Sequence, residues 1–259
     1  LRQENESLTA ELIIKNEELA ELNNDLIELD KVKTDFLSLI SHEIRTPLNG
    51  IVGVVDLLKM NLSEDQSNSI NSLLYILETS VNRLEKFLLT AERITQFKAG
   101  IYRLKTDNFH TSNIVLECLH AIKDNADRKN VKLEINNSFE GNLIADKQLF
   151  LYSIIEIVQN SLEYSPDNST IQIKIYPEYS QCVFEISDSG CGFPEKVIEN
   201  AFQLFGGEHK ADKHKGLSLA LIKNIMTAHG GDIEISNLPS GGAHVKFWIE
   251  TQPLNPGCN

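Results

Sequence analysis

"FLSLISHEIRTPLNG", residues 36–50, decides how the rest of the chain is read. Its apolar residues recur at helical spacing, yet it carries His42 with Glu43 beside it and, five residues on, Pro47. A proline inside a helix removes a backbone donor and clashes with the turn before it. Pro47 leaves the carbonyl of Glu43 without its helical partner, and Thr46, which precedes proline, is pushed away from helical geometry. The expectation is a helix weakened within one turn of a titratable ring, able to bend there.

Upstream, residues 1–35 are rich in Leu, Glu, Asn and Lys and contain neither Gly nor Pro. With Leu1 at a heptad d position, the d set is Leu1, Leu8, Lys15, Leu22, Leu29 and Phe36. The a set is then Asn5, Leu12, Leu19, Leu26, Lys33 and Ile40. Nine of these twelve positions are apolar, which favours a coiled coil, with Asn5 as a polar seam residue that sets register. The plain alternative is a single amphipathic helix packed on the domain that follows. The register places His42 at a c position, off the seam and facing solvent. Downstream, "NLSEDQS" (61–67) reads as a short loop. A second helix from about 66 to 98 carries Ile70, Leu73, Leu77, Leu84, Phe87, Ala91 and Ile94 at steps of three, four or seven. Two such helices form an antiparallel hairpin that cannot bury its stripe alone. Pairing two hairpins into a four-helix bundle predicts a homodimer.

Bulk properties narrow the function. A net charge of −13 excludes a general binder of nucleic acid or anionic membranes but not a local nucleotide site. The four cysteines (Cys118, Cys182, Cys191 and Cys258) have no CxxC spacing, which points to a reduced compartment without a disulfide framework or zinc site. No apolar run approaches the roughly 18–20 residues of a membrane span. The chain starts at Leu1 in mid-pattern, so it is read as a cytoplasmic piece of something longer, compatible with a membrane anchor elsewhere.

From Gly100 the texture changes to alternating strands and helices. Strands are expected at 101–109, 131–137, 170–178 and 181–188, and helices at 111–127, 146–164 and 216–229. Residues 188–215 read as loop-rich, and a hairpin over 231–250 turns at Pro-Ser-Gly-Gly. The fold class is an α helical hairpin with an N-terminal coiled coil, followed by an α+β two-layer sandwich with helices on one face of a mixed sheet.

Three stretches carry chemistry. In "EIVQNSLEYS" (156–165), Glu156 and Asn160 share a helix face, where a carboxylate and an amide oxygen can hold hydrated Mg²⁺; surface polarity is the plain alternative. In "DSGCGF" (188–193), two glycines allow close backbone approach of a ligand, and Asp188 can accept from an exocyclic amine; many turns share this pattern. In "EHKADKHKGLSLALIKNIMTAHGG" (208–231), Lys210, Lys213, His214 and Lys215 precede a helix that opens with Gly216, Leu217 and Ser218. Such a helix start binds phosphate.

In this order, and with "SHEIRTPLNGI" upstream, the stretches give a chain that resembles the catalytic core of a sensor histidine kinase, with wording closest to kinases that also carry receiver domains. The resemblance implies a coiled-coil signalling helix over 1–35 and a dimerisation and histidine-phosphotransfer domain over 36–98. It also implies an ATP-binding domain of the gyrase and Hsp90 superfamily over 101–252, and a tail over 253–259. It further implies that His42 attacks the γ-phosphate of ATP, that Glu43 orients the ring or takes its proton, and that Thr46 positions a water for dephosphorylating the partner, with Asn49 nearby. Asn160 is then the Mg²⁺ ligand, and Glu156 stands where many such kinases have Asn. Asp188 reads adenine, Gly190 and Gly192 shape the base pocket, and Tyr164 stacks near the nucleotide. Phe202 and Phe205 are hinge aromatics of a lid carrying Lys210, His214 and Lys215, and Gly216, Leu217 and Ser218 open the phosphate-binding helix. The implied partners are a second copy of the chain, a response regulator receiver domain and an upstream sensor domain, with no nucleic acid.

Departures from the family pattern are also legible. Glu163 stands where Lys is usual, and His214 and Ser218 replace two glycines. The lid has lysines and no arginine, so it offers no bidentate clamp. These departures keep open a second reading, a degenerate kinase that signals by dimerising or docking. A plain ATPase is a third reading, in which the His42 stretch has no part.

Overall fold

The computed structural model describes residues 15, 19, 23, 44–57, 67–203 and 217–251. They belong to two compact units that divide between Phe87 and Leu88. Positions 15, 19 and 23 are helical; the rest of the expected coiled coil, with His42 and Glu43, lies outside the described residues.

The first unit contains helix α1 (44–57) and most of helix α2 (Ser67–Lys98). One expectation is corrected here: Thr46 is helical, and α1 runs through Thr46 and Pro47. Pro47 is buried and Thr46 half-buried, and packing of this kind outweighs local backbone preference. A Cβ at Gly50 would stand 2.5 Å from Ser80 Oγ, so the two helices approach closely. This pairing is centred on the 61–67 segment, as a hairpin requires. On α2, Leu73 and Ile94 are buried and Leu77, Leu84, Phe87 and Ala91 half-buried, as the stripe predicts, whereas Ile70 is exposed. Leu48, Val52, Val55 and Leu57 on α1 and Leu74, Tyr75, Ile76 and Val81 on α2 are exposed as well. One hairpin leaves this much apolar surface in water, which marks an interaction face.

The second unit begins with the last turns of α2 and continues as strand β1 (Thr106–His110), helix α3 (Thr111–Lys129), β2 (Lys132–Asn137), β3 (Asn142–Asp146) and helix α4 (Lys147–Tyr164). Then come β4 (Thr170–Glu178), β5 (Gln181–Ser187), α5 (Glu195–Asn200), α6 (Ser218–Ala228), β6 (Asp232–Asn237) and β7 (Ala243–Glu250). Five strands form one mixed sheet in the order β2-β4-β5-β7-β6, parallel only between β2 and β4, while β1 and β3 pair apart as an antiparallel ribbon.

Alternation decides the layers. Ile171, Ile173 and Ile175 of β4 and Val245, Phe247 and Ile249 of β7 are buried on the helix side. On the solvent side, Lys174 pairs Glu185, Glu185 pairs Lys246 and Lys246 pairs Glu234, a cross-strand row of alternating charge. Phe150 of α4, Phe184 of β5 and Phe247 of β7 join the layers, with centroids 5.2–6.1 Å apart. Burying one such side chain contributes about 1.5–3 kcal/mol.

Asp146 and His229 lock α4 to α6. The Asp146 carboxylate caps α4 through Leu149 N (3.2 Å) and accepts from Lys105 N (3.0 Å) and Tyr102 Oη (3.3 Å). Its backbone N–H donates to His229 Nε2 at 2.9 Å. That fixes the tautomer: Nδ1 carries the proton and donates to the Ile225 carbonyl at 2.7 Å. Burial lowers the His229 pKa, so the ring stays neutral.

Four expectations need correction. The first strand is Thr106–His110, not 101–109; β3 and α5 were not foreseen; and α6 is assigned from Ser218. Strand β3 is short and amphipathic, and it exists through pairing with β1. No described helix is long and apolar enough to cross a membrane.

Candidate functional site

Helix α4 organises the site. Glu156, buried, and Asn160, half-buried, lie one turn apart, and no described residue hydrogen-bonds the Asn160 amide. The α4 C-terminus, at Tyr164, meets the loop after β5. From Glu156 to Tyr164 is eight residues, about 12 Å of helix. The carbonyls of that last turn are held by Lys129 of α3, whose Nζ donates to Leu162 O (2.8 Å), Glu163 O (3.0 Å) and Ser165 O (2.7 Å).

Asp188 is buried at the end of β5. Its Oδ1 accepts from Gly190 N at 2.9 Å and from Ala243 N at 3.0 Å. No described donor reaches Oδ2. The glycines of this loop have packing reasons of their own. A Cβ at Gly190 would lie 2.8 Å from the Tyr164 carbonyl oxygen. Gly192 has φ +74°, and a Cβ there would meet Asn237 Oδ1 at 2.6 Å. They shape the loop first, and closeness to a ligand is not needed to explain them. Asn237 holds both backbone groups of Phe193, accepting from its N–H at 2.6 Å and donating to its carbonyl at 2.8 Å. Sequence reading missed Asn237 because it acts across 44 residues of chain.

The third component is the start of α6. Leu217 is buried and makes no side-chain cap at the first turn of the helix. Ser218 turns its hydroxyl to Glu156, donating to Oε2 at 3.0 Å. The phosphate-type helix start and the Glu156–Asn160 face are thus adjacent. Phe202 packs beneath Lys223 of α6, whose ammonium stands 5.2 Å from the ring centroid.

Of the sequence-derived set, Glu156, Asn160, Tyr164, Asp188, Gly190, Gly192, Leu217 and Ser218 come together around α4. His42, Glu43, Phe205, Lys210, His214, Lys215 and Gly216 lie outside the described residues, and Thr46 sits on α1 in the first unit. Glu163 is exposed and lines a groove of about 400 Å³ with Asn125, Arg128, Lys129, Gln159 and Leu162, so two cations accompany its charge. No group of three or more possible metal-ligating His, Cys, Asp or Glu side chains occurs among the described residues. A carboxylate and an amide oxygen on one helix face suit a cation that keeps most of its waters, and Mg²⁺ does so.

Comparison with known proteins bears on the family and the fold. Residues 145–253 match the family described as histidine kinase-, DNA gyrase B-, and HSP90-like ATPase, and residues 32–92 match the His Kinase A (phospho-acceptor) domain. The sensor protein KdpD of Clostridium acetobutylicum is 32% identical over 94% of this chain, which spans 27% of that protein's length. Among solved structures, the Acinetobacter baumannii histidine kinase AdeS superposes with a TM-score of 0.65 at 20% identity, covering 82% of this chain and 98% of that one. Histidine kinase ThkA, solved in complex with the response regulator protein TrrA, gives 0.65 at 21% identity over 84% of this chain and 61% of its own. A phospho-acceptor hairpin followed by an ATPase sandwich makes this chain a histidine kinase catalytic core.

Proposed function

We propose that the core binds MgATP around α4, phosphorylates His42 and passes the phosphoryl group to an aspartate of a response regulator receiver domain. It works on the cytoplasmic side, as a homodimer. The observation that carries the reading is the convergence on one helix of an uncapped helix start, a carboxylate–amide face and a buried acceptor, Asp188 Oδ2. A nucleotide needs these three features along its length: amides for phosphate, oxygen ligands for a cation, and an acceptor for the adenine amine. The apolar face of α1 and α2 supports dimerisation, and ThkA bound to a response regulator supports the partner class.

In the reaction, a neutral His42 nitrogen attacks the γ-phosphorus. An N–P bond forms, the P–O bond to the β-phosphate breaks, ADP leaves, and Glu43 takes the ring proton. An imidazole with an unperturbed pKa of about 6.5 is a competent nucleophile near neutrality. Glu156 and Asn160 would hold Mg²⁺, which when bound neutralises charge on the phosphates. The α6 amides orient the phosphates, and Asp188 fixes the base. Catalysis of this kind is mainly positioning and electrostatics. With γ-labelled ATP, the wild-type chain should incorporate label and His42→Gln should not; equal labelling of the variant would overturn the assignment. The departures at Glu163 and His214 favour a second reading, a docking module without catalysis. Absence of MgATP binding at millimolar concentration in calorimetry would select it.

A further inference from the structure

We propose that Asn237 is a positioning residue for base selection, because it holds the far end of the loop whose near end carries Asp188. The inference rests on the reading of Asp188 as the base acceptor.

One hairpin fixes both ends of the loop 188–193. At its start, Asp188 N donates to the Ala243 carbonyl, and Ala243 N donates back to Asp188 Oδ1, each at 3.0 Å. At its end, the Asn237 amide accepts from Phe193 N at 2.6 Å and donates to Phe193 O at 2.8 Å. Those two backbone groups decide which way round the amide lies, since an N–H must meet Oδ1 and a carbonyl must meet Nδ2. Asn237 and Ala243 are themselves register partners across β6 and β7. The turn between them closes on itself, Leu238 N donating to Gly242 O and Gly241 N to Leu238 O, both at 3.0 Å. A single cross-strand pair therefore sets the span from Asp188 to Phe193.

The carboxylate is coupled to the far end through Gly190. Asp188 Oδ1 has two donors, Ala243 N from the hairpin and Gly190 N, at 2.9 Å, from the loop itself. Two donors on one oxygen fix the rotation of the carboxylate and so the place of Oδ2. With Phe193 released, the Ala243 bond stays, the Gly190 bond loosens, and the carboxylate turns about its remaining donor. An amide suits the task, because it carries an acceptor and a donor on one planar group and bridges the N–H and C=O of one residue. Asn237 is exposed, so water takes over its bonds when the amide is removed. What is lost is the fixed span of the loop, and the sheet beneath it stays.

The test uses the whole 259-residue chain, with affinities for MgATP and MgITP read by calorimetry and folding by thermal melting. ITP carries a carbonyl oxygen where ATP carries its amine, and an acceptor at Oδ2 disfavours it, so wild type should prefer MgATP. Asn237→Ala should stay folded and bind MgATP roughly three- to tenfold more weakly, the worth of one hydrogen bond. Its MgITP affinity should change by less than about twofold, so the preference narrows. A folded Asn237→Ala that keeps the wild-type preference would overturn the inference and leave the reading of Asp188 standing, and so would equal weakening of both nucleotides. Wild type with no preference for MgATP would overturn both. Should Asn237→Ala fail to fold, Asn237→Asp carries the same comparison. It keeps the size and the bond from Phe193 N but sets an oxygen against the Phe193 carbonyl, and the same two outcomes count against the inference.

Discussion

Asp188→Asn separates nucleotide recognition from folding. The native Oδ1 accepts two backbone N–H groups, from Gly190 and Ala243, at 2.9 and 3.0 Å. Asparagine is isosteric, and these two donors hold its oxygen in the same place. Its NH₂ then occupies the site of Oδ2, so an acceptor becomes a donor that faces the donating amine of adenine. The two internal bonds weaken because their acceptor is no longer charged, which costs about 1–2 kcal/mol of stability. In a domain of this size that lowers Tm by roughly 2–4 °C per kcal/mol. The ligand loses a charge-assisted bond of about 1.5–3 kcal/mol, or roughly ten- to a hundredfold in Kd. Calorimetric titration should therefore show a folded protein with much weaker MgATP binding. MgITP, whose base carries a carbonyl oxygen in place of the amine, should gain relative to MgATP, since Asn can donate to it. A folded Asp188→Asn that binds MgATP as tightly as wild type, with no gain for MgITP, would refute the assignment of Oδ2 to the base.

Three further outcomes follow from the geometry. Gly242→Ala places a Cβ 2.0 Å from the Asp188 carbonyl oxygen at φ +98°, so it should destabilise by more than about 2 kcal/mol in urea unfolding; an unchanged midpoint would contradict the close approach of that turn. Burial pushes the Cys118 and Cys182 thiols up to about 12, whereas Cys191 is exposed, so native Cys258→Ser should show one fast thiol with a chromogenic disulfide and three after denaturation. His229 has a depressed folded pKa, so its contribution is fully present above its unfolded value near 6.5 and is lost as pH falls toward the folded one. The denaturation midpoint should therefore drop between pH 7 and 5, and His229→Gln should flatten part of that drop; parallel pH profiles would refute it.

Periodic and local features were legible in the sequence. The stripe on α2, the strands β4 and β7 and the helix α4 each arise from neighbours in sequence, and the chain states them directly. Features made by distant pairing were not legible. Strand β3 needs β1, Asn237 needs the Phe193 backbone, and His229 reads as a surface residue at a helix end until Asp146, 83 residues away, donates to it. Thr46 fails in the opposite direction: the residue before a proline is expected to leave helical geometry, yet Thr46 is helical in α1. In the candidate site, the residue types were legible because the proposed chemistry needs them. The reasons for Gly190 and Gly192 were not, since internal contacts, not a ligand, exclude their side chains.

The departures from the kinase pattern also change meaning in three dimensions. Along the sequence, Glu156 and Ser218 are separate anomalies, a carboxylate for an amide and a hydroxyl for a glycine. In the fold they face one another across 3.0 Å, and each supplies what the other needs. A buried carboxylate at this position requires a donor, and glycine has no side chain to give one. A serine hydroxyl at a helix start would otherwise compete for the first amides of its own helix; here it is engaged with Glu156. Restoring glycine at 218 alone would thus leave Glu156 buried with a donor lost. Restoring asparagine at 156 alone would trade a charged acceptor for a neutral one. Glu163 is balanced in its own way, because Arg128 and Lys129 line the same groove. Glu156 and Ser218, which look like decay of the site one at a time, form a bonded pair when read in the fold.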